Sequence, residues 1–285
     1  MSTLEALLQS GEMLIVPGAY DALSARIAAR AGARAVYMTG FGVAGASFGV
    51  PDIGLIGPEQ MCERVRAIAG AIAPVPLIAD GDNGHGGPAN VARLVRAYEQ
   101  AGAAAIQLED QVSPKRCGHM EGKEIVSLAD AAAKIRAACE ARSSAQFKIV
   151  ARTDARAVEG FDEALRRGEA FLKAGADILF IEAPQSESEL RTIAEKFKGT
   201  PLVANIVEDG KTPWLSLDAL RTMGYRIALF PITALLAAAK TLEQAYAAVL
   251  SGRAAEVKER VSFSAYNELV GLPEAIAFVK GCEEE

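Results

Sequence analysis

Eight short apolar runs rich in β-branched residues are spread along the chain, each followed by a stretch of helical patterning, and this alternation restricts the fold more than any other feature. The runs are Met13–Pro17, Ala35–Thr39, Pro76–Asp80, Ala104–Glu109, Lys148–Arg152, Ile178–Glu182, Leu202–Ile206 and Arg226–Phe230. Between them lie segments rich in Ala, Arg, Glu and Leu. Such alternation predicts parallel strands joined by helical crossovers. An internal echo supports the count. Ala31-Gly32-Ala33, Ala101-Gly102-Ala103 and Ala174-Gly175-Ala176 each close a helix before a strand, and Met223-Gly224-Tyr225 stands in the same place. Glycine there can take the left-handed conformation that ends a helix. An open doubly wound sheet is the competing architecture, but no G-x-G-x-x-G follows the first strand. The pattern therefore predicts an α/β fold, a (β/α)8 TIM barrel.

A chain of 285 residues suits one such barrel, and no linker, low-complexity tract or charge block divides it. Residues 1–285 read as a single domain, with 254–285 a helical extension beyond the eighth strand and its helix. Apolar Leu272, Ile276, Phe278 and Val279 in that extension predict packing on a surface, with another subunit as the candidate. The formal charge of −6 argues against a nucleic-acid partner, because backbone phosphates would be repelled. No apolar run reaches the roughly 18 residues of a membrane span. The start, Met1-Ser-Thr-Leu-Glu, has neither the basic nor the apolar region of a signal peptide, so the expected location is cytoplasmic. The cysteines, Cys62, Cys117, Cys139 and Cys282, form no C-x-x-C pair, which excludes a zinc knuckle or dithiol motif. All but Cys117 lie in helical stretches and read as small buried hydrophobes.

The catalytic face of a barrel of this kind is built at the C-terminal ends of its strands. Polar residues gather there: Thr39-Gly40-Phe41-Gly42 after the second strand, Asp80-Gly81-Asp82 after the third, and Glu109-Asp110 after the fourth. Arg152-Thr153-Asp154 follow the fifth strand, Glu182 the sixth, and Asn205 with Glu208 the seventh. One carboxylate past a strand is ordinary loop chemistry. Charged or amide groups ending five successive strands are harder to dismiss. Asp80, Asp82 and Glu109 come from adjacent strands, so their oxygens can converge, and Asp52 can join through a water. Converging carboxylates without a Cys or His pair suit a hard cation, Mg2+ or Mn2+. The competing reading is that these acids cap helices or pair with surface bases.

Both histidines, His85 and His119, lie in glycine-containing loops after strands. His119 is two residues from Cys117, within Lys115-Arg116-Cys117-Gly118-His119; Gly84-His85-Gly86-Gly87 also reads as a simple flexible turn. Two cations beside a thiol lower its pKa and make it a competent proton donor near neutral pH. Lys115, Arg116 and the backbone at Gly118 can also hold a carboxylate. The segment from Gln111 to Ser127 is long enough for a closing lid. A solvated basic loop with an incidental cysteine is the bland alternative.

With those residues in view, the chain resembles the isocitrate lyase and phosphoenolpyruvate mutase superfamily. The resemblance runs through Tyr37-Met38-Thr39-Gly40, Gly49-Val50-Pro51-Asp52, Asp80-Gly81-Asp82-Asn83-Gly84, Gln107-Leu108-Glu109-Asp110-Gln111, the Lys115–His119 loop, Ala151-Arg152-Thr153-Asp154-Ala155, Phe180-Ile181-Glu182-Ala183 and Ala204-Asn205-Ile206-Val207-Glu208. The Lys-Arg-Cys-Gly-His loop is similar to that of the carbon–carbon lyase branch. Met120-Glu121-Gly122-Lys123 after it is nearer to 2,3-dimethylmalate lyase, petal-death-protein-like lyases and oxaloacetate hydrolase than to 2-methylisocitrate lyase, which usually has an arginine there. A branched or C4 dicarboxylate is therefore expected over a tricarboxylate.

The resemblance implies a metal held by Asp80, and by Asp52, Asp82 and Glu109 partly through waters. It implies that Thr39 and the amides of Gly40 and Phe41 grip the adjoining carboxylate of a small dicarboxylate or 2-oxoacid. Cys117 is then the acid that protonates the departing carbanion, with Glu182 and His119 shaping its pocket, and Arg152, Asn205 and Thr212 bind the distal carboxylate. Tyr37 is a candidate base. Relatives exchange a helix between paired subunits, which implies a homotetramer built as a dimer of dimers. Two alternatives remain: oxaloacetate hydrolysis or phosphonopyruvate chemistry at the same metal, and a catalytically silent barrel.

Overall fold

The computed structural model describes residues 3–118, 120 and 122–283. Its strands are β1 (Leu14–Ala19), β2 (Val36–Met38), β3 (Leu77–Asp80), β4 (Ala105–Glu109), β5 (Lys148–Thr153), β6 (Ile178–Ile181), β7 (Val203–Asn205) and β8 (Ile227–Phe230). Every expected strand is present, within two residues at either end. All pairings are parallel, and the sheet runs β6-β5-β4-β3-β2-β1-β8-β7. A parallel bridge between Leu179 and Leu202 joins β6 to the residue entering β7, which closes the circle. The chain is a (β/α)8 barrel.

The crossovers are α2 (Ala22–Arg30), α3 (Gly40–Phe48) with α4 (Pro58–Ile72), α5 (Pro88–Gln100), α6 (Leu128–Ala141), α7 (Ala155–Val158) with α8 (Phe161–Lys173), α9 (Glu187–Lys196) and α10 (Leu217–Met223). Their starts follow local chemistry. Asp21 accepts from the Ser24 amide at 2.7 Å, and Ser24 Oγ accepts from the Asp21 amide, a reciprocal cap on α2. Ser127, Ser186 and Ser216 cap α6, α9 and α10, each hydroxyl accepting one backbone amide, and Pro58 and Pro88 open α4 and α5. At the helix ends, Gly102 (φ 95°) and Gly175 (φ 104°) take the left-handed conformation the echo predicted.

Two apolar layers stabilise the barrel. The outer one packs strands against helices through residues such as Met38, Val65, Ile68, Tyr98, Ile149 and Phe171. The inner one, with Val16, Ile78, Val150, Ile178, Phe180 and Leu229, fills the barrel interior. It also includes Leu4, Leu7 and Leu8 of a short helix, α1 (Leu4–Gln9), which was not evident in the sequence. Thr3 caps α1, and Glu5 lies 3.4 Å from Lys148 Nζ at the start of β5. With α1 set against the beginnings of the strands, the polar residues at their other ends are left to form the site.

The chain divides into two compact units, Met1–Ala234 and Leu235–Glu285. The barrel is the first. The second holds most of α11 (Thr233–Leu250), then α12 (Phe263–Leu269) and α13 (Leu272–Glu283). None of these three helices has a buried residue, and Leu242, Tyr246, Leu250, Phe263 and Phe278 are largely exposed. On the barrel, Ile15 of β1 and Ile27 of α2 are half exposed. No helix among the described residues is long and apolar enough to cross a membrane.

Candidate active site

A cavity of about 270 Å3 opens at the C-terminal ends of the strands. Tyr37, Thr39, Phe41, Asp52, Asp80, Glu109, Lys115, Cys117, Gly118, Arg152, Glu182 and Asn205 line it together. Asp82 lies beside them and is buried. Thr212 is not among the lining residues; its hydroxyl is buried without a hydrogen-bond partner. His119 lies outside the described residues.

Asp80 ends β3 and is fixed on several sides. Its Oδ2 accepts from the Gly40 amide at 3.1 Å, and its Oδ1 accepts from the Asp82 amide at 3.1 Å and Gln107 Nε2 at 3.3 Å. The Gly40 amide, expected to face substrate, is thus directed at Asp80. A Cβ at Gly40 would lie 2.8 Å from that carboxylate, so only glycine allows the approach. Burial, then the charge of Asp82, raises the pKa of Asp80; burial raises that of Glu109 well above the usual range.

Lys115 stands between two of the acids. Its ammonium donates to Asp52 and lies 2.7 Å from Asp82 Oδ1, though off the line of a hydrogen bond. Burial alone would lower its pKa, but Asp82, Glu109, Asp80 and Asp52 together hold it well above the usual value. One of the two cations expected to act on the Cys117 thiol is therefore committed to the carboxylates. Sequence adjacency misled here because a long flexible side chain follows the field, not its neighbour.

Among the described residues no three Asp, Glu, His or Cys side chains close tightly enough to form a metal cluster. The donor chemistry still fits a hard cation. Glu109 Oε1 is buried with no hydrogen-bond partner among the described residues, and burial, with neighbouring carboxylates adding to it, raises Asp80 and Glu109. A divalent ion on oxygen donors would relieve both.

Arg152, at the end of β5, gives Nε and Nη2 to Asp154 at 3.0 and 3.1 Å. Its guanidinium lies 5.2 Å above the Phe180 ring centre and 3.5 Å from Glu182 Oε2. Burial would raise Asp154, but Arg152 and Lys123 pull it down to about 2. Asn205 Nδ2 donates to both oxygens of Glu182, at 3.3 and 3.2 Å. The Asn205 oxygen is buried with no hydrogen-bond partner among the described residues. Asp110 turns from the cavity to accept from Thr153 Oγ1, the Asp154 amide and Arg167.

The Tyr37 hydroxyl donates to Gln107 Oε1 at 2.9 Å, and burial with the charge of Asp80 lifts its pKa well above 10. The phenol, expected as a candidate base, thus stands as a donor to Gln107. Gln107, part of the Gln107–Gln111 motif but given no role there, sits two residues before Glu109 and so on the same face of β4.

His85 does not line this cavity, although its Nε2 lies 3.9 Å from Asp82 Oδ2. It lines a second cavity, of about 300 Å3, between α4 and α5, together with Cys62 and Arg93. The four cysteines form no disulfide; Cys62, Cys117 and Cys139 are half-buried, whereas Cys282 is exposed rather than buried as expected. Burial pushes the Cys139 thiol up to about 11.

The geometry has counterparts. Residues 4–250 match the phosphoenolpyruvate phosphomutase family model. The chain is 46% identical to 2,3-dimethylmalate lyase of Eubacterium barkeri, over 94% of this chain and 93% of that one. It is 43% identical to 2-methylisocitrate lyase of Bacillus subtilis, over 84% and 78%. Its fold superposes on oxaloacetate acetylhydrolase, solved with the inhibitor 3,3-difluorooxalacetate, with a TM-score of 0.94 at 33% identity, covering 99% and 96% of the two chains. The chain belongs to the phosphoenolpyruvate mutase/isocitrate lyase superfamily.

Proposed function

We propose that this protein is a metal-dependent carbon–carbon lyase that cleaves a substituted malate, such as 2,3-dimethylmalate, to pyruvate or a related 2-oxoacid and a second carboxylic acid. The observation that carries this reading is that Cys117 lines the same cavity as Asp80, Glu109, Arg152 and Glu182. Phe41, Phe180, Val207, Leu229, Pro231 and Ile232 add apolar lining, which suits alkyl substituents.

Asp80, with Asp52, Asp82 and Glu109, would hold Mg2+ or Mn2+, which when bound supplies a Lewis acid for the substrate's 2-oxygen and neighbouring carboxylate. The other roles fall to the chain. Thr39 and Phe41, at the start of α3, offer the positive end of a helix to that carboxylate. Arg152, held in plane by Asp154, and Asn205 receive the distal carboxylate. As the 2-hydroxyl proton passes to a base of the cavity, which later returns it to the Cys117 thiolate, the C2–C3 bond breaks and its electron pair passes to C3. Cys117 delivers a proton to C3, and the resulting thiolate is reprotonated before the next turnover. Glu182, fixed by Asn205, shapes that side of the pocket. The exposed apolar residues of α11–α13 and of Ile15 and Ile27 support a homotetramer, a dimer of dimers with exchanged helices. The absence of disulfides suits a cytoplasmic enzyme.

The structural likeness to oxaloacetate acetylhydrolase favours hydrolysis of oxaloacetate as the second reading. Product analysis separates the two. The lyase releases pyruvate from 2,3-dimethylmalate or 2-methylmalate, stops in excess EDTA and resumes with Mg2+ or Mn2+. Release of oxalate and acetate from oxaloacetate, with no pyruvate from either malate, overturns the lyase assignment, and full turnover in EDTA overturns the metal.

A further inference from the structure

We propose that Lys123 is a positioning residue whose buried ammonium latches the Cys117–Gly118 segment onto the Arg152–Asp154 pair. Its side chain is 2% exposed. The ammonium donates to the Gly118 carbonyl and, at 2.8 Å, to Asp154 Oδ1. Asp154 is fully buried, and the same carboxylate receives two hydrogen bonds from Arg152. One acid therefore binds both the loop and the arginine proposed to receive substrate.

The tolerances are small. A Cβ on Gly118 would lie 2.2 Å from Arg152 Nη2 and 2.9 Å from Glu182 Cγ, so the loop backbone already rests on those groups. Asp154 is itself anchored from behind, its amide donating to Asp110 at 2.9 Å while Asp110 also takes Arg167 of α8. A rigid series thus runs from α8 through Asp110, Asp154 and Lys123 to the residue beside Cys117. Other contacts fasten the neck of this loop, such as Gln111 Nε2 to the Arg116 carbonyl at 2.8 Å. Lys123 is the one described here that grips the carbonyl next to the thiol. An ammonium shared between a carboxylate and a carbonyl in a buried site holds more firmly than a neutral pair, and its loss takes the donor from the Gly118 carbonyl and leaves Asp154 to Arg152 alone.

The test is differential thiol labelling of the full-length protein with iodoacetamide, read by peptide mass spectrometry. Lys123→Met should speed modification of Cys117 by at least about 10-fold, the factor that 1.4 kcal/mol of lost restraint represents. Cys62 and Cys139, on α4 and α6, should react at wild-type rates. Lys123→Arg, which keeps the charge and the donors, should restore slow labelling at least in part. The kinetic arm rests on the lyase reading, where kcat should fall far more than KM rises; the labelling arm does not. Wild-type labelling of Cys117 in folded Lys123→Met overturns the latch. If that variant does not fold, Lys123→Gln, which keeps a donor but no charge, must show the same selective exposure of Cys117. Uniform acceleration at all three cysteines, or loss of fold in both variants, makes Lys123 a purely structural residue and overturns the proposal equally.

Discussion

Asp154 carries a charge deep in the barrel because two cations surround it, and this sets a pH signature. Its carboxyl, near 3.9 in an unfolded chain, sits at about 2 in the fold. A depressed acid stabilises the native state above its unfolded pKa, and that stabilisation is lost as pH falls through the folded value. The difference in melting temperature between wild type and Asp154→Asn should therefore be full above about pH 4 and shrink towards pH 2, roughly the two values that bound the loss. A difference that stays constant over that range removes the assignment. Cys117 answers to a different measurement. A proton donor used in the transition state is worth about 10²–10⁴-fold, so Cys117→Ser should lower kcat by that factor with KM little changed. Near wild-type turnover by the variant on its best substrate ends the role of the thiol as the acid.

The eight strands were legible at the scale of elements because each is a compact β-branched run between helical stretches, as at Ile178–Glu182 and Arg226–Phe230. The acids and Arg152 were legible too, since strand ends place them at one rim. The short helix α1 was not. Six residues are too few to show a period or to be stable alone, and tertiary packing of Leu4, Leu7 and Leu8 makes the helix. Nor was the direction of Lys115, which depends on acids from two distant loops, or the exclusion of Thr212 from the cavity, since its loop after β7 has no strand geometry to aim it. The contribution of α1 is measurable. Leu7→Ala, at a buried position, should cost about 2–5 kcal/mol of unfolding free energy. A denaturant midpoint equal to wild type contradicts the packing described here.

For the whole molecule, the buried carboxylates of the site and the exposed helices each predict a bulk property. Mg2+ or Mn2+ should raise the melting temperature, by mass action equivalent to about 2.7 kcal/mol at 100 times Kd, and Asp80→Asn should blunt the shift. A melting curve indifferent to either ion argues against these carboxylates as its ligands. Light scattering at micromolar concentration should return four chains, and the mass of one chain refutes the tetramer. The sealed lower half of the barrel has a kinetic consequence. With Leu4, Leu7 and Leu8 joined to Val16, Val150 and Ile178 beneath the site, nothing passes through the barrel axis. Both fragments of a cleaved substrate then depart from the strand-end side, where the cavity lies, so they leave in sequence, the shallower one first. Product inhibition should then be unequal: the fragment that leaves last competes directly with substrate for the empty enzyme, and its partner does not.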